Sequence, residues 1–185
     1  MNRNVSDKHI ACKNCYLSLS YNNCPSRIAD VEKSIIFIGD KPSSVDTKVG
    51  IPFQGRNNKI ITQYINDYKL ETWSSITNLI KCYCIEPHLN YADKCINILI
   101  EEIKKSKPLI IVPIGSFVYK RLNDLTICNM KRVVNKPTKY ANSIMIPIYS
   151  PSYIKKENIY NEYDKSFDLI SDIFAELCID YKIYR

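Results

Sequence analysis

Short apolar runs alternate with longer amphipathic segments along this chain. Segment 34–39 is apolar after its first residue and ends in glycine, a pattern typical of a buried parallel strand. Segments 57–70 and 91–106 instead repeat their apolar residues at helical spacing. The same patterns predict strands at 74–82, 109–115 and 144–149, and helices at 116–123 and 163–179.

Four strands separated by helices predict an α/β domain whose parallel sheet is covered on both faces. We expect the whole chain, 1–185, to form this one domain. Ligands of such sheets bind beyond the carboxyl ends of the strands. Four polar segments begin at predicted strand ends, and they are Asp40–Ser43, Thr77–Asn78, Gly115–Ser116 and Ser150–Ser152.

Composition narrows the class of partner. The formal net charge is +7, from 26 Lys and Arg against 19 acidic residues, and this weakly favours a polyanion. Fourteen tyrosines add surface on which nucleotides stack, although most of them are expected to fill core and surface. No apolar run reaches membrane-spanning length and the N-terminus lacks an apolar signal core, so we expect an intracellular protein without a membrane partner.

Cysteines form the clearest candidate metal site. A C-x2-C pair near the N-terminus is joined by two later cysteines, one at the end of the second predicted strand and one early in the next helix. Four thiolates suit either zinc or an iron–sulfur cluster. The four predicted ligands are Cys12, Cys15, Cys82 and Cys95, with Cys24 and Cys84 as rivals.

Three positions near strand ends carry candidate chemistry. Asp40 follows the first strand, where a carboxylate can position a water, although an ordinary Asp-Pro turn is the alternative. Phe53 lies outside any periodic run and offers a stacking face, or else anchors its loop inward. Asn78 ends the second strand with an amide that can read a pyrimidine edge, or else caps that strand.

The segment 147–156 leads from the fourth strand into a basic, aromatic turn. Such a turn suits contact with a DNA backbone, and a solvated basic turn is the alternative. Arg56, at the start of the first predicted helix, is a further candidate for phosphate. The expected DNA-contacting residues are Arg56, Ser116, Ser152, Tyr153, Lys155 and Lys156.

Together these motifs resemble the family 4, iron–sulfur type of uracil-DNA glycosylase. The resemblance spans roughly residues 12 to 175 and rests on the C-x2-C, IIFIGDKP, GIPFQGR, TNLIKC, Cys95, KPLIIVPIG and IYSPSYIKK. It implies an α/β/α fold with a four-stranded parallel sheet and a 4Fe–4S cluster on Cys12, Cys15, Cys82 and Cys95, zinc being the alternative. It also implies a monomer acting on uracil in single- or double-stranded DNA, with Phe53 stacking on the base and Asn78 reading it.

Two departures from the family pattern lie on the chemistry. The first motif of the family has Glu, a small residue, Pro and Gly, where this chain has Asp40, Lys41, Pro42 and Ser43. The last motif has His-Pro-Ser or similar, where this chain has Ser150. The resemblance implies Asp40 and Ser150 as catalytic residues, and Gly39, Lys41 and Pro42 beside the substrate.

Two functions follow from this resemblance. The first is hydrolysis of the N-glycosidic bond of flipped deoxyuridine in base excision repair, with weakened activity. Losing a donor aimed at developing charge typically costs about 10²–10³ in rate. The alternative is a catalytically impaired glycosylase fold that binds DNA or a protein partner in replication or repair.

Overall fold

The computed structural model describes residues 15–17, 33–85 and 89–180. None of the helices in these ranges is both long and apolar enough to cross a membrane. The strands are β1 (Ile35–Gly39), β2 (Ser74–Asn78), β3 (Ile110–Pro113), β4 (Thr138–Tyr140) and β5 (Ser143–Met145). The helices are α1 (Ser44–Val49), α2 (Lys59–Asp67), α3 (Leu89–Ser106), α4 (Ser116–Leu122), α5 (Met130–Val133), α6 (Pro151–Glu157) and α7 (Asn161–Asp180).

The sheet has the order β2-β1-β3-β5-β4. The first four strands in that order are parallel, as predicted, and β4 pairs antiparallel with β5 at the edge. The predicted count of four strands was therefore wrong by this edge strand. A three-residue strand with an exposed Lys139 carries no alternating apolar pattern, so sequence periodicity could not reveal it.

Helices cover both faces of the sheet, which confirms the predicted α/β/α layering. One face packs against α3 and α4 through residues such as Ile36, Leu99 and Val118. The other face packs against α2 and α7 through residues such as Phe37 and Phe167, whose rings stack at 5.7 Å. Alternate side chains of β1 enter opposite clusters, which is the two-residue period of a strand buried on both faces.

The predicted basic turn after the last strand is a helix instead. The Ser150 side chain accepts from the Tyr153 backbone N–H, and Pro151 occupies the first turn of α6. Serine at the N-cap and proline just inside are start signals of a helix. Two further short helices, α1 and α5, were also not predicted, and the predicted helix at 57–70 is confined to α2.

The chain order of the strands creates a crevice. From β1 the chain moves to β2 on one side, and it later returns to place β3 on the other side of β1. Loops after β1 and β3 therefore leave the sheet in opposite directions, and a gap opens between them. The segments predicted to carry chemistry begin at this gap.

Candidate active site

A cavity of about 600 Å³ lies in the crevice between β1 and β3. Three chain segments form its walls: the turn after β1 with the following loop, the turn after β3, and the start of α6. The predicted site residues on these walls are Gly39, Asp40, Lys41, Pro42, Phe53, Arg56, Ser116, Ser150 and Ser152. Residues from motifs that are far apart in the sequence thus meet in one cavity.

Gly39 brings two predicted recognition side chains together. It pairs with Asn78 in the parallel register of β1 and β2. A Cβ added to Gly39 would lie 2.8 Å from the Phe53 ring and would also collide with Asn78 Oδ1. Only glycine leaves room there for the ring and the amide. Asn78 is fully buried behind Gly39, and it does not line the cavity wall itself.

Phe53 is buried, with 1% of its surface exposed, and its backbone lies in the left-handed region at φ 62°. A non-glycine residue adopts this conformation only when its surroundings hold it there, at a cost of about 1–3 kcal/mol. The sequence left open whether this side chain stacks on a ligand or anchors its loop. In the structure the ring packs inward and also lines the cavity.

Asp46 holds the loop that carries Phe53, and the sequence analysis missed it. One carboxylate oxygen accepts from the backbone N–H groups of Gln54 and Gly55 at 2.7 and 2.9 Å. The other accepts from Ser43 N at 2.8 Å, and the Ser43 side chain caps α1 in return. Ser43-x-x-Asp46 is a capping box, and that motif was the available signal.

Asp40 lies at the mouth of the cavity and is half-buried. Its Oδ1 accepts from the Lys41 backbone N–H at 2.8 Å, and none of the described residues donates to Oδ2. The backbone carbonyl of Asp40 accepts from Ile80 N at 2.9 Å, which ties the turn to the chain beyond β2. One carboxylate oxygen is thus available to a water or a substrate.

The Lys41 side chain is hydrogen-bonded to a neighbouring segment of the chain. Its ammonium donates to the backbone carbonyls of Cys84 and Ile85, at 2.7 and 3.0 Å. It also lies 5.8 Å from the centre of the Tyr83 ring. The side chain therefore connects the turn after β1 to the segment that follows Cys82, while Lys41 also lines the cavity.

Ser150 forms the opposite wall. Gly115, at φ 85°, approaches it so closely that an added Cβ would lie 3.1 Å from the Ser150 Cβ. The Ser150 hydroxyl lies 3.2 Å from the Ser152 hydroxyl and accepts from Tyr153 N at 3.4 Å. Since Tyr153 N and Ser152 both can donate to this oxygen, the Ser150 hydrogen can point into the cavity.

The predicted DNA-contacting residues separate into three groups. Arg56, Ser116 and Ser152 line the cavity, and Arg56 precedes α2 instead of opening it. Tyr153 lines an adjoining cavity instead. Lys155 and Lys156 are exposed on α6, outside the walls of both cavities.

The family model for the uracil DNA glycosylase superfamily matches residues 25–177. The chain belongs to this superfamily. This membership confirms the resemblance drawn from the motifs. All the residues that line the cavity lie within the matched segment.

Relatives of this superfamily member carry a more specific description. The type-4 uracil-DNA glycosylase of Archaeoglobus fulgidus is 24% identical over 176 residues, covering 89% of this chain and 88% of the relative. That of Thermotoga maritima is 24% identical over 155 residues, covering 81% of each. That of Saccharolobus solfataricus is 27% identical over 128 residues, covering 64% of this chain and 59% of the relative.

Three of the four predicted metal ligands lie in the part of the chain that the structure describes. Cys15, Cys82 and Cys95 are buried in the apolar cluster beneath α3. Cys12 lies outside the described residues, and Cys82 follows β2 in a bend instead of ending the strand. Within the described ranges, no three His, Cys, Asp or Glu side chains are grouped closely enough to hold a metal ion. Burial and donor chemistry suit a thiolate site, and its ligand set stays a prediction.

Cys84, a rival ligand, is buried in the same cluster. Burial raises the pKa of its thiol, and the Lys41 ammonium partly opposes that rise while Asp40 and Cys15 add to it. Cys84 therefore lies within electrostatic range of both the predicted metal site and the turn bearing Asp40. Cys24, the other rival, falls outside the described part of the chain.

A buried ion pair near Asn78 was also missed. The Lys81 side chain is fully buried, and its ammonium lies 2.6 Å from Glu102 Oε2 and 2.8 Å from Thr77 Oγ1. The pair links the end of β2 to α3 beneath the sheet. No sequence pattern revealed this pair, because Lys81 and Glu102 lie 21 residues apart and meet only through packing.

Proposed function

We propose that this chain hydrolyses the N-glycosidic bond of a flipped deoxyuridine in DNA, releasing uracil and leaving an abasic site. The observation that carries the proposal is the joining of Asp40, Phe53 and Ser150 around one cavity, with Asn78 behind Gly39. The names of the relatives, type-4 uracil-DNA glycosylases, support the same substrate.

Recognition is assigned to the pair that meets at Gly39. The Phe53 ring, held by its loop, provides a flat apolar face for the base. The Asn78 amide carries one acceptor and one donor group, which match the N3–H and O4 of uracil. Because both side chains are buried and positioned before substrate arrives, little conformational freedom is lost when the base binds.

Asp40 and Ser150 divide the chemistry. Water attacks C1′ as the C1′–N1 bond breaks, and the bonding electron pair leaves with uracil as an anion. The Asp40 carboxylate orients that water through Oδ2 and accepts its proton. The Ser150 hydroxyl donates toward O2 of the departing base, where negative charge develops. Serine is neutral and short, so we expect slower turnover than a histidine donor would give.

A 4Fe–4S cluster on Cys12, Cys15, Cys82 and Cys95 completes the proposal. Cys12 and Cys15 of the N-terminal segment would hold it together with Cys82 after β2 and Cys95 on α3, and it would supply a structural cross-link and no redox step. Lys41 extends the same connection to the catalytic turn through its bonds to Cys84 and Ile85. An iron assay and the visible absorbance of the purified protein separate this cluster from colourless zinc.

One observation favours the alternative, a DNA-binding module with impaired catalysis. Ser150 stands where the family carries histidine, and its oxygen already caps α6 and contacts Ser152. Serine is neutral and shorter than histidine, so it stabilises a departing anion less well. Uracil-DNA would then bind in the cavity without being cleaved.

Alkali cleavage of a single-stranded oligonucleotide with one deoxyuridine tests the proposal. We expect the chain to produce alkali-labile sites, and Asp40→Asn to lower the rate by about 10²-fold or more. Asp67→Asn, an exposed change of the same kind at the end of α2, is the matched control and should keep full activity. Tight DNA binding without cleavage at stoichiometric protein would favour the alternative.

A further inference from the structure

A second cavity of about 580 Å³ opens beside the first. The two share Gly115, Ser116 and Ser150, so the close contact between Gly115 and Ser150 forms a common wall. A ligand that continues from the first cavity across this wall enters the second. None of the proposed chemistry uses this second space.

Its remaining walls combine flat apolar, amide and cationic groups: Cys128, Asn129, Met130, Lys131, Tyr149 and Tyr153. The Tyr149 and Tyr153 rings stack with their centres 4.9 Å apart. A flat aromatic surface, a thioether, an amide and an ammonium make up a set suited to a nucleobase and its phosphate. The volume lies within the range of small-ligand sites.

These walls are held in place by their own contacts. Asn129 Oδ1 accepts from Lys131 N at 3.1 Å and caps α5, which leaves the amide nitrogen of Asn129 for another partner. The Tyr163 hydroxyl donates to the Tyr149 carbonyl at 3.0 Å and anchors the aromatic pair from behind.

We propose that this second cavity binds the nucleobase next to the flipped deoxyuridine, on one flank, in single-stranded DNA. The inference rests on the proposed function, because it needs the deoxyuridine to occupy the first cavity. Neighbouring nucleotides are joined by one phosphate, and the shared wall is the path that this phosphate crosses. A base lodged in the second cavity cannot remain paired, so single strands are the favoured substrate.

A double-mutant cycle that combines a protein variant with a modified DNA, with Kd as the readout, tests this inference. Its probe is an oligonucleotide with 2′-fluoro-deoxyuridine, which resists cleavage, made intact or with an abasic spacer on the 5′ or the 3′ flank. Tyr153→Leu removes the ring and keeps apolar bulk. We expect it to raise Kd for the intact probe about 5-fold or more, the size of one base–ring stack. With the spacer on the contacted flank, the variant and the unmodified protein should differ by less than about 2-fold.

Tyr160→Leu is the matched control, since Tyr160 is exposed and lies on neither cavity. Should Tyr153→Leu fail to fold, Asn129→Ser replaces it, because serine keeps the cap oxygen and removes only the amide donor. We expect this variant to show coupling at the same flank.

Equal weakening of all three probes, or no weakening, would overturn the inference, as would coupling at both flanks. Comparing each probe with its thymidine counterpart separates the two proposals. If the protein binds the uracil probe more tightly than its thymidine counterpart but shows no coupling at either flank, only the role of the second cavity is contradicted. If the protein does not prefer uracil over thymine, both the proposed function and this inference are contradicted.

Discussion

The two walls of the first cavity differ in the hydrogen bonds that hold them in place. The wall after β1 is held by a buried carboxylate, Asp46, which accepts three backbone hydrogen bonds from both ends of its loop. The second wall, formed by the turn after β3 and the start of α6, relies on the close approach of Gly115 and Ser150 and on two serine hydroxyls. In the proposed mechanism, the first wall presents the Phe53 ring with Asn78 behind Gly39, and the second wall presents the donor for the leaving group.

This difference separates recognition from catalysis. In the proposed mechanism, Phe53 and Asn78 are held in place before the base arrives, so little further ordering is needed when it binds. A neutral serine hydroxyl stabilises a departing anion less effectively than a histidine donor would. We therefore expect tight binding of uracil-DNA, and a turnover rate that is limited by the hydroxyl donor on the second wall.

Asp46→Ala should have the largest effect, because it removes the anchor of the first wall. The N–H groups of Ser43, Gln54 and Gly55 lose their acceptor. An unsatisfied buried donor costs about 1–3 kcal/mol, and because the Gly55 N–H is buried while the other two are partly buried, we expect the free energy of unfolding to fall by about 2–4 kcal/mol. Denaturant unfolding measures this loss. Asp46→Asn keeps an acceptor oxygen and should lose less; equal losses would contradict the hydrogen-bond account.

Gly39→Ala should damage recognition more than stability. The new Cβ meets the Phe53 ring at 2.8 Å and collides with Asn78 Oδ1, so both recognition groups must shift. Overpacking of this kind costs about 1–3 kcal/mol. We expect affinity for the non-cleavable uracil probe to fall at least about 10-fold, as measured by fluorescence anisotropy. Unchanged affinity would show that the base does not bind against Gly39.

Tyr68→Phe tests a region outside both walls and should have the smallest effect. The Tyr68 hydroxyl donates to Asp168 at 2.7 Å between α2 and α7, and burial followed by this bond raises its pKa to about 12. A raised folded-state pKa stabilises below the unfolded value near 10, and the contribution is lost as pH rises from about 10 to 12.

The free energy of unfolding at neutral pH should fall by about 0.5–1.5 kcal/mol in Tyr68→Phe, with uracil affinity unchanged. Its stability should also decline less steeply above pH 10 than that of the unmodified protein. Tyr160→Phe, at an exposed position, is the control. A large loss of uracil affinity in Tyr68→Phe would show that the α2–α7 contact supports the first wall.

The strand-end segments were predictable because carboxyl ends of parallel strands share one edge of a sheet. Asp40, Gly115 and Ser150 therefore reach one cavity as the alternation of elements implied. The sequence left the inward placement of Phe53 open, since it depends on a left-handed backbone conformation and on the hydrogen bonds that Asp46, in the preceding helix α1, accepts from Gln54 and Gly55.

Other features carried either an outweighed signal or none. The basic, aromatic composition of residues 147–156 predicted a turn suited to a DNA backbone, whereas Ser150 and Pro151 already marked a helix start. The edge strand β4 gave no apolar alternation, because an edge strand has few buried positions. The ion pair of Lys81 and Glu102 depends on packing between β2 and α3, which sequence spacing does not encode.

Ser150→His tests the contrast between the walls most directly. Single-turnover excision of uracil and Kd for the non-cleavable probe are measured together, with Tyr160→His as the control that adds the same group at an exposed position outside both cavities. We expect Ser150→His to raise the excision rate about 10-fold or more, with Kd changed less than about 2-fold. An unchanged rate accompanied by altered affinity would contradict the division between a recognition wall and a catalytic wall.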